Sequence, residues 1–126
     1  MRFIVMVKAT ARSEAGGLPT REELAKMGAF NEELVRAGAL LAAEGLHPSS
    51  RGARITYAAG TPSVTDGPFA ETKELIAGFW ILQLKSKEDA IAWLLRCPFE
   101  DAQIEILQVY EVEDFAPVFA AERASQ

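Results

Sequence analysis

Cysteine is almost missing from this chain. Cys97 is alone among 126 residues, so no intrachain disulfide can staple the fold. Histidine is equally scarce, and His47 is the single side chain whose ordinary titration falls near neutrality. With one His and one Cys there is no spaced ligand set for zinc. A divalent ion would have to be held by His47 with Asp66, Glu71 or Glu74, and no metal site is expected. No apolar run approaches the roughly 18 residues that span a bilayer. Met1 to Lys8 is too short for a secretory signal core and reads better as a first strand. Basic residues are outnumbered, 13 Lys and Arg against 18 Asp and Glu for a formal net charge of −5, and they are scattered. A nucleic-acid footprint needs a clustered basic face, so direct DNA or RNA binding is not expected. A Gly-rich phosphate loop and a G-x-S-x-G motif are also lacking. Together these absences suggest a cytoplasmic protein with no cofactor.

What is present is a core. Apolar residues make up 49% of the chain and charged residues 25%, the balance of one folded domain. Phe3 to Val7 is a continuous apolar strand candidate. Arg12 to Pro19 looks like an exposed connection. Thr20-Arg21-Glu22-Glu23 forms a capping-box pattern that opens a helix from about Arg21 to Ala37, with Leu24, Met27, Leu34 and Val35 at helical spacing and Gly38 as its stop. Leu40 to Ala43 is a short strand. Arg54 to Tyr57 and Pro62 to Thr65 flank Ala58-Ala59-Gly60-Thr61 as a small hairpin. Ala77 to Leu84 is the strongest strand signal. Ser86 caps a second helix through Ala90, Ile91, Leu94 and Leu95, ended by Pro98, and Ile104 to Val112 makes the last strand.

The order is a βαββαβ plan with a hairpin inserted at the middle. Right-handed crossovers put both helices on one face of an antiparallel sheet. Phe3–Val7 and Phe79–Leu84 are apolar at both parities, so the other face is not built for water either. A bare apolar face four strands wide exceeds what a monomer usually exposes. A second copy of the chain is the economical cover, which makes a homodimer the expectation. The competing arrangement folds the inserted hairpin and the tail back over that face. In the tail, Asp114 to Phe119 is apolar enough to dock on the partner or on its own sheet, and Ala120 to Gln126 is expected to fray.

The chemistry concentrates in Val64 to Glu74, which reads VTDGPFAETKE. Asp66, Gly67 and Pro68 break regular structure, and Phe69 follows at once. Two readings stand for this segment: a built site, or a tight connection whose Phe plugs the core. Glu71 to Glu74 can equally be a short solvated helical turn. His47 sits in a loop between Gly45 and Pro48. It is either a simply exposed side chain or half of a pair with Asp66, able to move a proton if the strands before the two loops are neighbours. Cys97 reads as a packed thiol, and Trp80 and Trp93 as core.

Glu44-Gly45-Leu46-His47-Pro48, the Val64–Glu74 segment, Ala77-Gly78-Phe79-Trp80 and Arg96-Cys97-Pro98 together resemble the YCII-related family in its DGPF-motif branch. The resemblance covers residues 1–115 as one domain, with 116–126 as a C-terminal tail. It implies an α+β ferredoxin-like βαββαβ sandwich that pairs into a dimeric α/β barrel. It also implies a small-molecule protein, since the wider family is similar to small barrel enzymes and its better-studied branch has an active site built on a His and Asp pair. This chain has no His near its first strand, where the better-studied branch carries one, which leaves His47 and Asp66 for catalysis. The resemblance suggests Gly67, Pro68, Phe69, Glu71, Lys73 and Glu74 as the ligand-binding set. Members of the DGPF branch are also associated with extracytoplasmic-function sigma factors. A non-catalytic accessory role beside such a partner is therefore the alternative to an enzyme.

Overall fold

The structure is a computed structural model that describes every residue except 72, 73, 125 and 126. Its main sheet has four strands, β1 (Arg2–Lys8), β2 (Leu40–Gly45), β5 (Ile76–Gln83) and β6 (Ile104–Gln108), in the spatial order β2-β5-β1-β6. Every neighbouring pair is antiparallel. Strands β3 (Ala53–Ala58) and β4 (Thr61–Asp66) pair only with each other, as a separate two-stranded sheet. The α+β plan with an inserted hairpin is the one expected from the sequence.

Two long helices cover one face of the main sheet. Helix α2 (Arg21–Arg36) starts on a full capping box, with Thr20 accepting from the Glu23 amide at 3.1 Å and the Glu23 carboxylate accepting from the Thr20 amide at 2.9 Å. Its end is fixed by Gly38, whose φ of +71° lets the Ala39 amide turn back to the Leu34 carbonyl at 2.9 Å. Phe30 and Leu34 are buried, and Met27 packs beside them. Leu24 and Val35, expected on the same stripe, are 59% and 60% exposed. At 100° per residue they fall on the rim of the stripe defined by Met27, Phe30 and Leu34. Helix α3 (Lys87–Leu94) is capped by Ser86 and buries Ala90 and Leu94, while Ile91 and Leu95 face outward. It stops four residues short of Pro98.

Between helices and sheet lie Val5, Phe30, Leu34, Ala39, Trp80, Leu82 and Leu94. The register explains the selection. Phe3 faces Leu82 and Val5 faces Trp80 across β1 and β5, so these alternate residues share the helix side. Trp80 is 4% exposed, and its indole N–H donates to Asn31 Oδ1 at 2.8 Å, which satisfies the one polar atom brought into the core. The opposite parity, with Ile4 opposite Ile81 and Met6 opposite Phe79, forms the other face and is only partly buried. Leu107, opposite Ile4 on β6, is 55% exposed.

The competing arrangement for the hairpin is corrected, and so are three expectations. The hairpin does not fold back over the open face, because every residue of β3 and β4 is exposed. The segment after β1 is not a plain connection: Thr10 and Ser13 cap each other around a short helix α1 (Ala11–Glu14), with amide-to-hydroxyl distances of 3.1 and 2.8 Å. The tail is ordered further than expected. After a 3-10 turn at Val112–Phe115, helix α4 runs over Ala116–Ala124, a stretch rich in the good helix formers Ala, Glu and Arg. The final strand accordingly ends at Gln108 instead of Val112, although the Val109 amide still reaches the Arg2 carbonyl at 2.9 Å. Arg2 also grips this end through Glu111, at 3.0 Å.

Candidate functional site: a three-loop cluster at the open end of the sheet

At the end of the sheet where β1 and β2 finish and β5 begins, three segments converge. These are α1, the loop leaving β2, and the loop joining β4 to β5. The backbone starts the convergence, with the Ala9 amide donating to the Leu75 carbonyl at 2.9 Å and the Leu46 amide to the Ala77 carbonyl at 2.8 Å.

Ser49 is the hub. Its amide and its hydroxyl both donate to the Glu14 carboxylate, at 2.9 and 2.6 Å. Its hydroxyl oxygen in turn accepts the Phe69 amide at 2.9 Å. A carboxylate, a hydroxyl and a backbone amide thus run in series through partly buried space, and each short link is stronger for the charge at its head. Ser49 also opens a 3-10 turn over Ser49–Arg51, closed by the Gly52 amide on the Ser49 carbonyl at 2.9 Å.

Gly67 lies against that turn so closely that only glycine fits. A Cβ built on it would stand 1.6 Å from the Ser49 carbonyl oxygen and 2.6 Å from its carbon. The space is taken by backbone, which cannot swing aside. The Gly67 amide donates to the Gly52 carbonyl at 3.0 Å, and the Gly67–Pro68 peptide is cis. Phe69 is half-buried and does not belong to the buried core. Its ring instead carries the Arg54 guanidinium, 4.1 Å from the centroid. The reading in which Phe69 plugs the core is therefore replaced by one in which it forms part of this cluster.

The expected site residues divide accordingly. His47 is exposed, and its ring nitrogens lie 3.3 and 3.4 Å from Arg51 Nη1. The guanidinium lies almost equally far from both ring nitrogens, and which of them can accept depends on the tautomer. Asp66 ends β4, opposite Ala53, and is exposed, as are Pro68, Glu71 and Glu74. Among the described residues no hydrogen bond or ion pair joins His47 to Asp66. The strands before their loops are not neighbours, since β2 pairs with β5 and β4 with β3. The loops themselves do meet, through Ser49 and Gly52 instead of His47. The Glu74 amide reaches the Glu71 carbonyl at 3.0 Å. Lys73 lies outside the described residues. Among the described residues no three His, Cys, Asp or Glu side chains converge to hold a metal ion.

Glu14, Ser49, Arg51 and Arg54 are the site residues that sequence reasoning missed. The only local signal was the Thr10-x-x-Ser13 cap, which makes Glu14 the end of a helix. The 35-residue span from Glu14 to Ser49 leaves no pattern in a single sequence.

On the open face next to this cluster, Lys8 is tied to Glu105 at 3.0 Å, and Glu44 lies opposite Phe79. A separate groove of about 640 Å³ lies between the N-terminal half of α2 and the loop after α3, floored by Leu24, Met27 and Phe99. Its basic groups are neutralised locally, Arg12 by Glu23 at 3.4 Å and Lys26 by Glu22 at 3.2 Å. None of the expected site residues lines it. Cys97 is half-buried against the core, and burial pushes its thiol up to about 11. A thiol held in that state is not a nucleophile near neutral pH.

Comparison with known proteins places this architecture. The YCII-related domain model matches residues 1–116. An uncharacterized protein of Rhizobium meliloti (strain 1021) is 37% identical over 65 residues, a stretch spanning 52% of this chain and 52% of that protein. Among solved structures, 5-chloro-2-hydroxyhydroquinone dehydrochlorinase from Burkholderia phenoliruptrix AC1100, in complex with 2,5-dihydroxybenzoquinone, superposes with a TM-score of 0.51. That match covers 90% of this chain and 98% of the other at 15% identity, a likeness of fold. No helix among the described residues is long and apolar enough to cross a membrane.

Proposed function

Because this chain belongs to the YCII-related family, we propose that it binds a small organic molecule between the open sheet face and the Asp66–Glu74 loop. A second copy of the chain supplies the facing wall, and His47 and Asp66 exchange a proton with the ligand. The observation that carries this reading is the clamp from Glu14 through Ser49 to Phe69, because it holds both loops still while leaving the two titratable side chains exposed at the surface. A site on loops is only as good as their fixation, and here the fixation is by hydrogen bonds made to a carboxylate.

The roles follow from what each group has left to give. The Asp66 carboxylate has no hydrogen-bond partner among the described residues, so it is free to accept a proton or to orient a ligand hydroxyl. Arg51 holds the His47 ring from one side. Gly67 and Pro68 shape the loop, Phe69 offers an aromatic wall, and Glu71 and Glu74 complete its polar rim. Proton transfer requires the ligand oxygen to come within about 2.6–3.2 Å of the acceptor. A six-membered ring bearing acidic hydroxyls, as a hydroxyquinone or its phenolic counterpart, is the first ligand class to try, since the fold neighbour was solved with 2,5-dihydroxybenzoquinone.

The test is calorimetric titration of the full chain with 2,5-dihydroxybenzoquinone and a panel of dihydroxybenzoates, alongside His47→Ala and Asp66→Asn. Saturable binding is expected for at least one compound. Each variant is expected to weaken it by roughly 10-fold or more, with unchanged circular dichroism. No saturable binding across the panel, or binding indifferent to both substitutions, would sink the proposal.

A further inference from the structure

We infer that Arg54, held on the Phe69 ring, is an anchor for the carboxylate of a small-molecule acid. Arg54 is exposed, and its guanidinium carbon lies 4.1 Å from the centre of the Phe69 ring. That contact engages the face of the guanidinium and leaves its N–H fork free. Among the described residues no carbonyl, hydroxyl or carboxylate accepts from the fork. The ring beneath is fixed in turn, because the Phe69 amide donates to Ser49 Oγ at 2.9 Å and Gly67 is wedged against the Ser49 carbonyl. A long, flexible cation is thus oriented without being neutralised.

The same arrangement stands elsewhere in the fold with its acid in place. Arg96 lies over the Trp93 ring, 4.7 Å from the centroid, and its guanidinium donates to the Glu33 carboxylate. There the chain supplies ring, guanidinium and acid. At Arg54 it supplies only the first two. Carboxylates are close by in the sequence, but each is kept from Arg54. Glu14 is engaged by Ser49. Asp66 is paired with Ala53 and Arg54 with Thr65, so the two charged residues stand on opposite faces of the hairpin ladder. Glu71 and Glu74 are exposed on the Phe69 loop, and neither forms an ion pair with Arg54. By contrast, Arg2, Lys8, Arg12 and Lys26 each meet a Glu carboxylate at 3.0–3.4 Å. Arg51, whose contact is with the His47 ring, adds a second guanidinium to this segment with no carboxylate partner among the described residues. The third member of the Arg54 group is therefore one that a ligand brings. A carboxylate suits it because the planar fork grips both of its oxygens at once. The anchor needs neither His47 nor Asp66, so it stands or falls apart from the proposed proton exchange.

Titration of the isotope-labelled full chain, read by two-dimensional NMR at the Arg54 Nε–H, tests it. Sodium benzoate is the probe, benzamide its neutral isostere and sodium phosphate the competing oxyanion, all at constant ionic strength. Benzoate carries no hydroxyl for His47 or Asp66 to act on, so its binding reports on the anchor alone. It is expected to shift the Arg54 signal saturably, with benzamide roughly 10-fold weaker or worse. Arg54→Gln, which loses the charge, should weaken benzoate by roughly 10-fold or more. Arg54→Lys keeps the charge without the fork and should fall between the two. Thermal melts confirm that each variant is folded. Benzoate that does not saturate, that binds no better than benzamide, or that binds Arg54→Gln as it does wild type overturns the anchor. Phosphate binding more tightly than benzoate overturns the assignment to a carboxylate.

Discussion

Gly67→Ala is the most demanding perturbation of the loop cluster. The new methyl would sit 1.6 Å from the Ser49 carbonyl oxygen, less than half of a normal contact, and the oxygen belongs to a backbone pinned on both sides. The Ser49 amide is held by Glu14, and the Ser49 carbonyl is held by Gly52. The two loops must therefore separate. Separation breaks the hydrogen bond from Gly67 to Gly52, the one from Phe69 to Ser49, and the stacking of Arg54 on Phe69. At about 1 kcal/mol for each of the two hydrogen bonds and about 0.5–1 for the cation–π contact, the loss is about 2.5–3 kcal/mol. For a domain of this size that corresponds to roughly 6–15 °C in Tm. Differential scanning calorimetry reads the total. Amide hydrogen exchange reads the place, with protection expected to fall at Gly67 and Phe69 while Val5 and Leu82 keep theirs. A Gly67→Ala protein that melts within about 2 °C of wild type and still protects Phe69 would refute the steric argument.

Two further outcomes are expected. Ser49→Ala removes the hydroxyl that bridges Glu14 and the Phe69 amide, and should cost about 2–3 kcal/mol in urea unfolding; Glu14→Gln, which keeps an acceptor for the Ser49 amide, should cost less, and equal stability of Ser49→Ala and wild type would argue against the clamp. Burial raises the Cys97 thiol from its ordinary 9.0 to about 11. The folded state thus holds a proton that the unfolded chain has already lost, so the stability this thiol contributes is complete below pH 9.0 and declines as pH rises towards about 11. Alkaline melts of wild type and Cys97→Ala should diverge in that window, and iodoacetamide labelling of the native protein at pH 8 should be slow; rapid labelling would contradict the packed thiol.

The sheet and both long helices were legible because their signals are local and periodic. Thr20 with Glu23, Gly38, and the continuous apolar run through Phe79–Leu82 each report on backbone within a few residues. Boundaries slipped where tertiary contacts decide them, as at the final strand, which Arg2 and Glu111 turn out of the ladder near Val109. In the loop cluster the reading was partial. Gly67 and Pro68 marked the segment, since their backbone needs are written in their own chemistry. The partners of that segment were hidden, because Glu14 and Ser49 are ordinary polar residues until the fold brings them together. The same holds for His47, whose contact with Arg51, one helical turn along the chain, is not signalled by either residue's type.

The hydrogen bond from Gly67 to Gly52 has a consequence for how this chain can change. Fourteen residues, 53–66, depart and come home through one narrow gate only 3.0 Å across. The turn at the far end of that excursion, from Ala58 to Thr61, can be lengthened or trimmed while Arg54 and Asp66 stay where they are and the interior is untouched.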